Sequence, residues 1–176
     1  MHAHRAHRGR IGANVAAISW LLPILFALPP AAAAPHGSFA INGVYRATSN
    51  GDWATTNDVY RDEKTVTSTW TIESTCTYPE VCEGSVTSDL GWTARLSTAS
   101  GLWYVRRTVP DWQPCPDGRS DDGAQTYTFY PVDPAGQVSV GSPTLAGQDT
   151  TIGRSGACGI NQWLAIRMPF TLTKIS

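Results

Sequence analysis

Residues 65–109 read TVTSTWTIESTCTYPEVCEGSVTSDLGWTARLSTASGLWYVRRTV. In the opening run Val66, Ser68, Trp70, Ile72, Ser74 and Cys76 hold the even positions, and Thr65, Thr67, Thr69, Thr71 and Glu73 the odd ones. A period of two with one dry and one wet face predicts a strand, because successive side chains of a pleated chain point to opposite sides. Turn signals reset the pattern at Tyr78-Pro79, Asp89-Leu90-Gly91 and Ser100-Gly101. Four strands are expected, over 65–75, 83–88, 92–97 and 102–109, laid end to end as a meander.

The same reading extends outward. An opening strand is expected over 39–48, centred on Gly43-Val44-Tyr45, and closed by the turn Ser49-Asn50-Gly51-Asp52. A wetter connection follows, with a short extended piece at 58–61. Beyond Pro110, the run DWQPCPDGRSDDG at 111–123 reads as a long acidic loop. Strands are expected again at 125–132, at 137–140 and near 150–152 inside a Gly-rich tract. The closing strand spans 163–175, with Leu164, Ile166, Met168, Phe170 and Leu172 on one apolar face that should pair with the first strand. Pro169, on the other face, marks an edge, bulge or bend. The fold class is therefore all-β, an antiparallel meander of about eight or nine short strands. Such a chain closes into a barrel or, alternatively, folds as a β-sandwich; the barrel is preferred.

The first 33 residues have a different composition. Arg5, Arg8 and Arg10 precede an apolar run over 11–28, then Pro29-Pro30 and an alanine tract. A basic start, an apolar centre and small residues at an A-x-A site predict a secretory signal peptide, cut after Ala33. The alternative is a retained anchor, since about 18 apolar residues come close to the roughly 20 that span a bilayer. The expected organisation is a leader at 1–33 and one secreted β-domain at 34–176, not itself membrane-spanning. Three of the 13 Lys+Arg leave with the leader and none of the 14 acids do, so the domain carries a net charge of −4. That balance opposes a nucleic-acid partner, which selects for a basic surplus.

All four cysteines, Cys76, Cys82, Cys115 and Cys158, lie in the exported part, where two disulfides are the default. Of three pairings, Cys76–Cys82 is the local one, which leaves Cys115–Cys158 to join two later loops. Their spacings match no zinc ribbon or finger, so no metal is expected.

Chemistry is harder to find. His36, near the start of the domain, is its one histidine, and no G-x-S-x-G elbow exists. Nothing in the spacing of Glu73, Glu80, Glu83, Asp89 and the acids of 117–122 selects a glycosidase pair. The 117–123 loop fails as an EF-hand because Arg119 holds the third position and Thr128 the twelfth. No catalytic residue and no cofactor are assigned. One strand position stands out: Arg107 shares its face with Trp103, Val105 and Val109. An arginine set among Trp103, Trp92 and Tyr127 is a candidate ligand-binding group for an acidic headgroup inside a barrel. Trp53 and Trp112, in loops, could stack on sugars.

Two resemblances add to this. Gly43-Val44-Tyr45 is similar to the opening of lipocalin-type barrels. STWTIESTC, then C-x-G-x-V-x-S-D-x-G-W, the tryptophan before Arg106-Arg107, and the C-x-D-G loop resemble a family of small exported mycobacterial proteins of unknown function. That likeness covers the whole exported domain. It implies an actinobacterial envelope setting with paired cysteines, and brings no catalytic residues. The expected function is thus a secreted, non-enzymatic β-domain that binds or interacts at the cell envelope or outside the cell. The alternatives are a calycin-like carrier of a lipid or other hydrophobic ligand, and a carboxylate-dependent hydrolase of envelope glycans. A lipid, a glycan or a protein is the kind of partner each implies.

Overall fold

A computed structural model describes residues 39–78 and 80–176, so the expected leader lies outside the described residues. The 65–109 meander is present as four antiparallel strands: β4 (Val66–Tyr78), β5 (Val81–Ser88), β6 (Trp92–Ala99) and β7 (Leu102–Pro114). Before them come β1 (Gly43–Ser49) and a two-residue pair, β2 (Thr55–Thr56) and β3 (Val59–Tyr60). After them come β8 (Ser120–Pro131), β9 (Thr144–Gly153) and β10 (Ala165–Lys174). Each long strand pairs with the next, and β1 pairs with β4 on one side and β10 on the other. That last pairing, expected from the apolar face of the closing strand, seals an eight-stranded antiparallel barrel. It also removes both sheet edges. The β2–β3 hairpin sits outside the ring, on the start of β10.

The period of two places one row of each strand inside. Ser68, Trp70, Ile72 and Ser74 of β4 face inward, with Tyr45, Ala47 and Ser49 of β1, Val86 and Ser88 of β5, and Phe170 and Leu172 of β10. An eight-stranded barrel has just enough interior for side chains to fill, and rings fill this one. Trp70 meets Tyr127 at 4.9 Å and Trp92 at 5.3 Å, both nearly edge-on, and Phe170 at 5.2 Å between ring centroids. Its indole N–H donates to Ser68 Oγ at 3.0 Å, so the buried donor is satisfied.

Space for these rings comes from β9. In register, Gly147 lies between Phe129 of β8 and Phe170 of β10, and a Cβ there would fall on the Thr128 carbonyl. The inward row of β9 is Leu145, Gly147, Asp149, Thr151 and Gly153, and after Leu145 it is small or polar where its neighbours are large.

Three expectations change. The acidic run at 111–123 is not one long loop: β7 continues to Pro114 and β8 begins at Ser120, leaving only 115–119 between them. A register shift between Val109 and Gln113, with Asp111 at φ 53°, marks a bulge that absorbs Pro110. Asp122 Oδ1 then accepts from the Asp111 N–H at 3.1 Å, and Trp112 lies half-buried on Gly123 rather than out in a loop. The expected strand at 137–140 is only a bridge, Val132 with Val138, while the one near 150–152 is the full ten-residue β9. Pro169 is a partner switch, not an edge. On that side β10 pairs with β1 as far as Phe170 and with β2 from Arg167, so the missing N–H falls in the gap. Its carbonyl still accepts from Asn50 N at 2.8 Å.

Both disulfides form, one at each end. Cys76–Cys82 staples the β4–β5 hairpin, and Cys115–Cys158 ties the β7–β8 turn to a single 3-10 turn at Ala157–Gly159.

Candidate functional site

The strand directions put the connections 50–65, 89–91, 115–119 and 154–164 at one end of the barrel, which the Cys115–Cys158 bridge marks. Toward that end the interior changes from rings to polar groups. Alternation along β7 carries Trp103 and Val105 inward, then Arg107. The Arg107 guanidinium lies over the Trp92 ring, 4.6 Å from its centroid, and Arg107 Nε donates to Gln125 Oε1 at 2.8 Å. Gln125 Nε2 donates in turn to both carboxylate oxygens of Asp149, at 2.9 and 3.0 Å. Ser49 Oγ completes the chain with a 2.7 Å bond to Asp149 Oδ2.

Asp149 is 2% exposed, which decides its chemistry. Burial pushes its carboxyl above the ordinary carboxylate range, because the charged form loses its water. The bonds from Ser49 and Gln125, and the positive charge of Arg107, pull the other way and do not cancel that effect. Next to it, burial raises the Tyr127 hydroxyl, the Asp149 charge raises it further, and Arg107 opposes both. The whole cluster is polarised in one direction: an arginine donates to an amide, which donates to a carboxylate.

Of the four residues singled out from the sequence, three come together. Trp92 and Tyr127 stack at 6.3 Å with planes 13° apart, and Arg107 joins them through Trp92. Trp103 does not: it lies further along β7, paired with Phe129 and fully buried, its indole N–H without a partner. Asp111 bonds Ser120 Oγ and lies at the bulge, whereas the acid that Arg107 reaches, through Gln125, is Asp149. Asp149, Gln125 and Ser49 escaped the sequence reading. The signal was the alternation of β9, which becomes visible only once Leu145 and Gly147 are set against Phe129 and Phe170.

Three of the acids singled out from the sequence are held in ion pairs. Glu83 pairs with Arg95, Asp117 with Arg119 and Asp121 with Arg154. Cys115 and Cys158 lie beside Asp121, but their sulfurs are bonded to each other. His36 lies outside the described residues.

Fold and cluster together define a small disulfide-stapled antiparallel barrel with aromatic and polar packing inside. No family model and no curated protein matches the chain. Among solved structures it is similar to the monomer form of the PknI sensor domain of M. tuberculosis. The match has 18% identity and a TM-score of 0.55, and spans 78% of this chain and 88% of that one. At that identity the likeness is one of fold.

Proposed function

We propose that this chain is an exported, non-enzymatic recognition barrel that works at the cell envelope or outside the cell. The observation that carries the reading is how the interior is used. Rings about 5 Å apart occupy its middle, and Arg107, the one inward cation expected to meet a cargo headgroup, is already engaged by Gln125 and Trp92. Binding then falls to the outer loops, where Trp53, Tyr60 and Trp163 are exposed at the Cys115–Cys158 end. Tyrosine and tryptophan are side chains that interfaces favour over the rest of the surface. The two disulfides suit an oxidising compartment. The fold neighbour is itself a sensor domain, and a mycobacterial one. That agrees with a binding role and with the resemblance carried by the 65–109 motifs.

The test is native mass spectrometry on protein recovered from the producing cell's culture medium, repeated after denaturation. The expected result is the mass of residues 34–176 less four hydrogens, unchanged between the two states. A discrete extra mass lost on denaturation would instead make the barrel a carrier, with Arg107 near its mouth. An unprocessed mass would refute cleavage after Ala33.

A further inference from the structure

The β2–β3 hairpin turns through Asn57 and Asp58, at φ 49° and 66°. Two left-handed residues between paired strands make the tight turn whose twist matches a hairpin. The tip is clamped to β10: Asn57 N donates to the Ala165 carbonyl at 2.8 Å, and Ala165 N donates to Asn57 Oδ1 at 2.7 Å. Asp58 pairs with Arg167. This clamp sets the hairpin tip beside Trp163, which is 58% exposed although it is the largest side-chain type. Between them runs a cleft of about 350 Å³, lined by Asn57, Asp58, Asn161, Gln162, Trp163 and Arg167. A second recess of about 220 Å³ shares Asn57, Gln162 and Trp163, and adds Gln113 and Ile160.

We infer that this paired cleft binds a neutral saccharide. Three features select that chemistry. First, an exposed indole offers a flat apolar face of the size of a pyranose, whose axial C–H groups form an equally flat apolar face. Second, the walls are carboxamides. Asn161 and Gln162 make no side-chain bond within the described residues, and Asn57 spends only its Oδ1. A carboxamide both donates and accepts, as vicinal hydroxyls do. Third, the charges cancel: Asp58 and Arg167 neutralise each other, so nothing is left to select an anion or a cation.

The recess adds an observation of a different kind. Gln113 is 9% exposed, and its Oε1 is a buried acceptor with no hydrogen-bond partner. Such orphans are uncommon, because leaving one unmatched is costly. That oxygen is turned against Gly153 and closed to solvent, so Gln113 walls the recess behind Trp163 without offering this atom to a ligand.

This inference rests on the recognition reading and names its ligand class, so the experiment must separate the two. The protein is the secreted chain, ¹⁵N-labelled, and the probes are maltotetraose, mannotetraose and chitotetraose at millimolar concentration. Trp163→Phe identifies the Trp163 indole resonance. We expect at least one probe to shift that resonance together with the Ala165 amide. Trp163→Ala should weaken the binding about tenfold, a loss of 1.4 kcal/mol. Gln162→Ala, which removes no bond within the fold, should weaken it measurably and controls for misfolding of the first variant. Shifts centred elsewhere, or binding that survives Trp163→Ala, would overturn the site. So would three probes that leave the Trp163 indole unmoved. New reducing-end anomeric signals in the same tubes would overturn the non-enzymatic reading, while a shift at Trp163 would still support the site.

Discussion

The buried carboxylate of Asp149 gives the sharpest test of how the barrel is held together. Replacing it with alanine removes the acceptor for Gln125 Nε2 and Ser49 Oγ, two bonds to a charged group in a 2%-exposed position. Such bonds contribute about 1.5–3 kcal/mol each, partly offset because an ion no longer has to be desolvated. Asp149→Ala should therefore cost about 2–4 kcal/mol. For a domain of this length that is a fall of about 10 °C in Tm. Asp149→Asn keeps the volume and one acceptor, and Ser49 can turn to accept from the new amide. It should stay within about 1 kcal/mol of wild type near neutrality.

The pH dependence separates these contributions. Burial holds the folded pKa of Asp149 above its ordinary 3.8. Between that value and the folded pKa, the native state binds more protons than the unfolded one. Asp149 thus makes stability fall as pH rises through that window, and the cost persists above it. Urea melts with disulfides intact, in buffers from below the ordinary carboxylate value up to neutrality, should show this fall in wild type relative to Asp149→Asn. Two results would refute the reasoning. One is a wild-type advantage over the asparagine variant that grows with pH in that window. The other is an alanine variant as stable as the asparagine one.

Three further outcomes follow from the packing. Trp70→Ala empties the centre of the ring cluster and should cost about 3–5 kcal/mol in chemical denaturation; a loss below 1 kcal/mol would mean the rings are not the core. Gly147→Ala drives a methyl into the Thr128 carbonyl between Phe129 and Phe170, and should lower Tm more than Asp149→Asn does. In the chain-entropy picture, the Cys115→Ser/Cys158→Ser variant should lose about 4 kcal/mol and the Cys76→Ser/Cys82→Ser variant about 2.4 kcal/mol, because the first bridge closes the longer loop; thermal melts in which the order is reversed would count against it.

What the sequence made legible is what each strand carries by itself. The 65–109 meander could be read because Trp70, Ile72, Val86, Leu96, Trp103 and Val105 announce their inward face without help from elsewhere. Closure was readable for the same reason, from Met168, Phe170 and Leu172. β9 was not, since Gly147 and Asp149 have no apolar signal, and their inward direction is defined only by the large rings of the strands beside them. The mouth divides along the same line. The parity of β7 assigns Arg107 to the interior, yet the rest of its cluster stands in four other strands, and Ser49 lies 100 positions from Asp149.

The rim at Trp163 shows the opposite failure. Parity placed Trp163 inside an expected strand, but the strand starts at Ala165, and the side chain's surroundings come from a hairpin tip more than a hundred residues away. Alternation in a barrel therefore reports the core and is silent about the rim, because loop residues owe their positions to clamps rather than to a period. Asn57 is such a clamp. The hydrogen bonds that fix it to Ala165, one of them through its own Oδ1, also bring it to the indole, so the features that could recognise a ligand here depend on a part of the fold that no periodic pattern encodes.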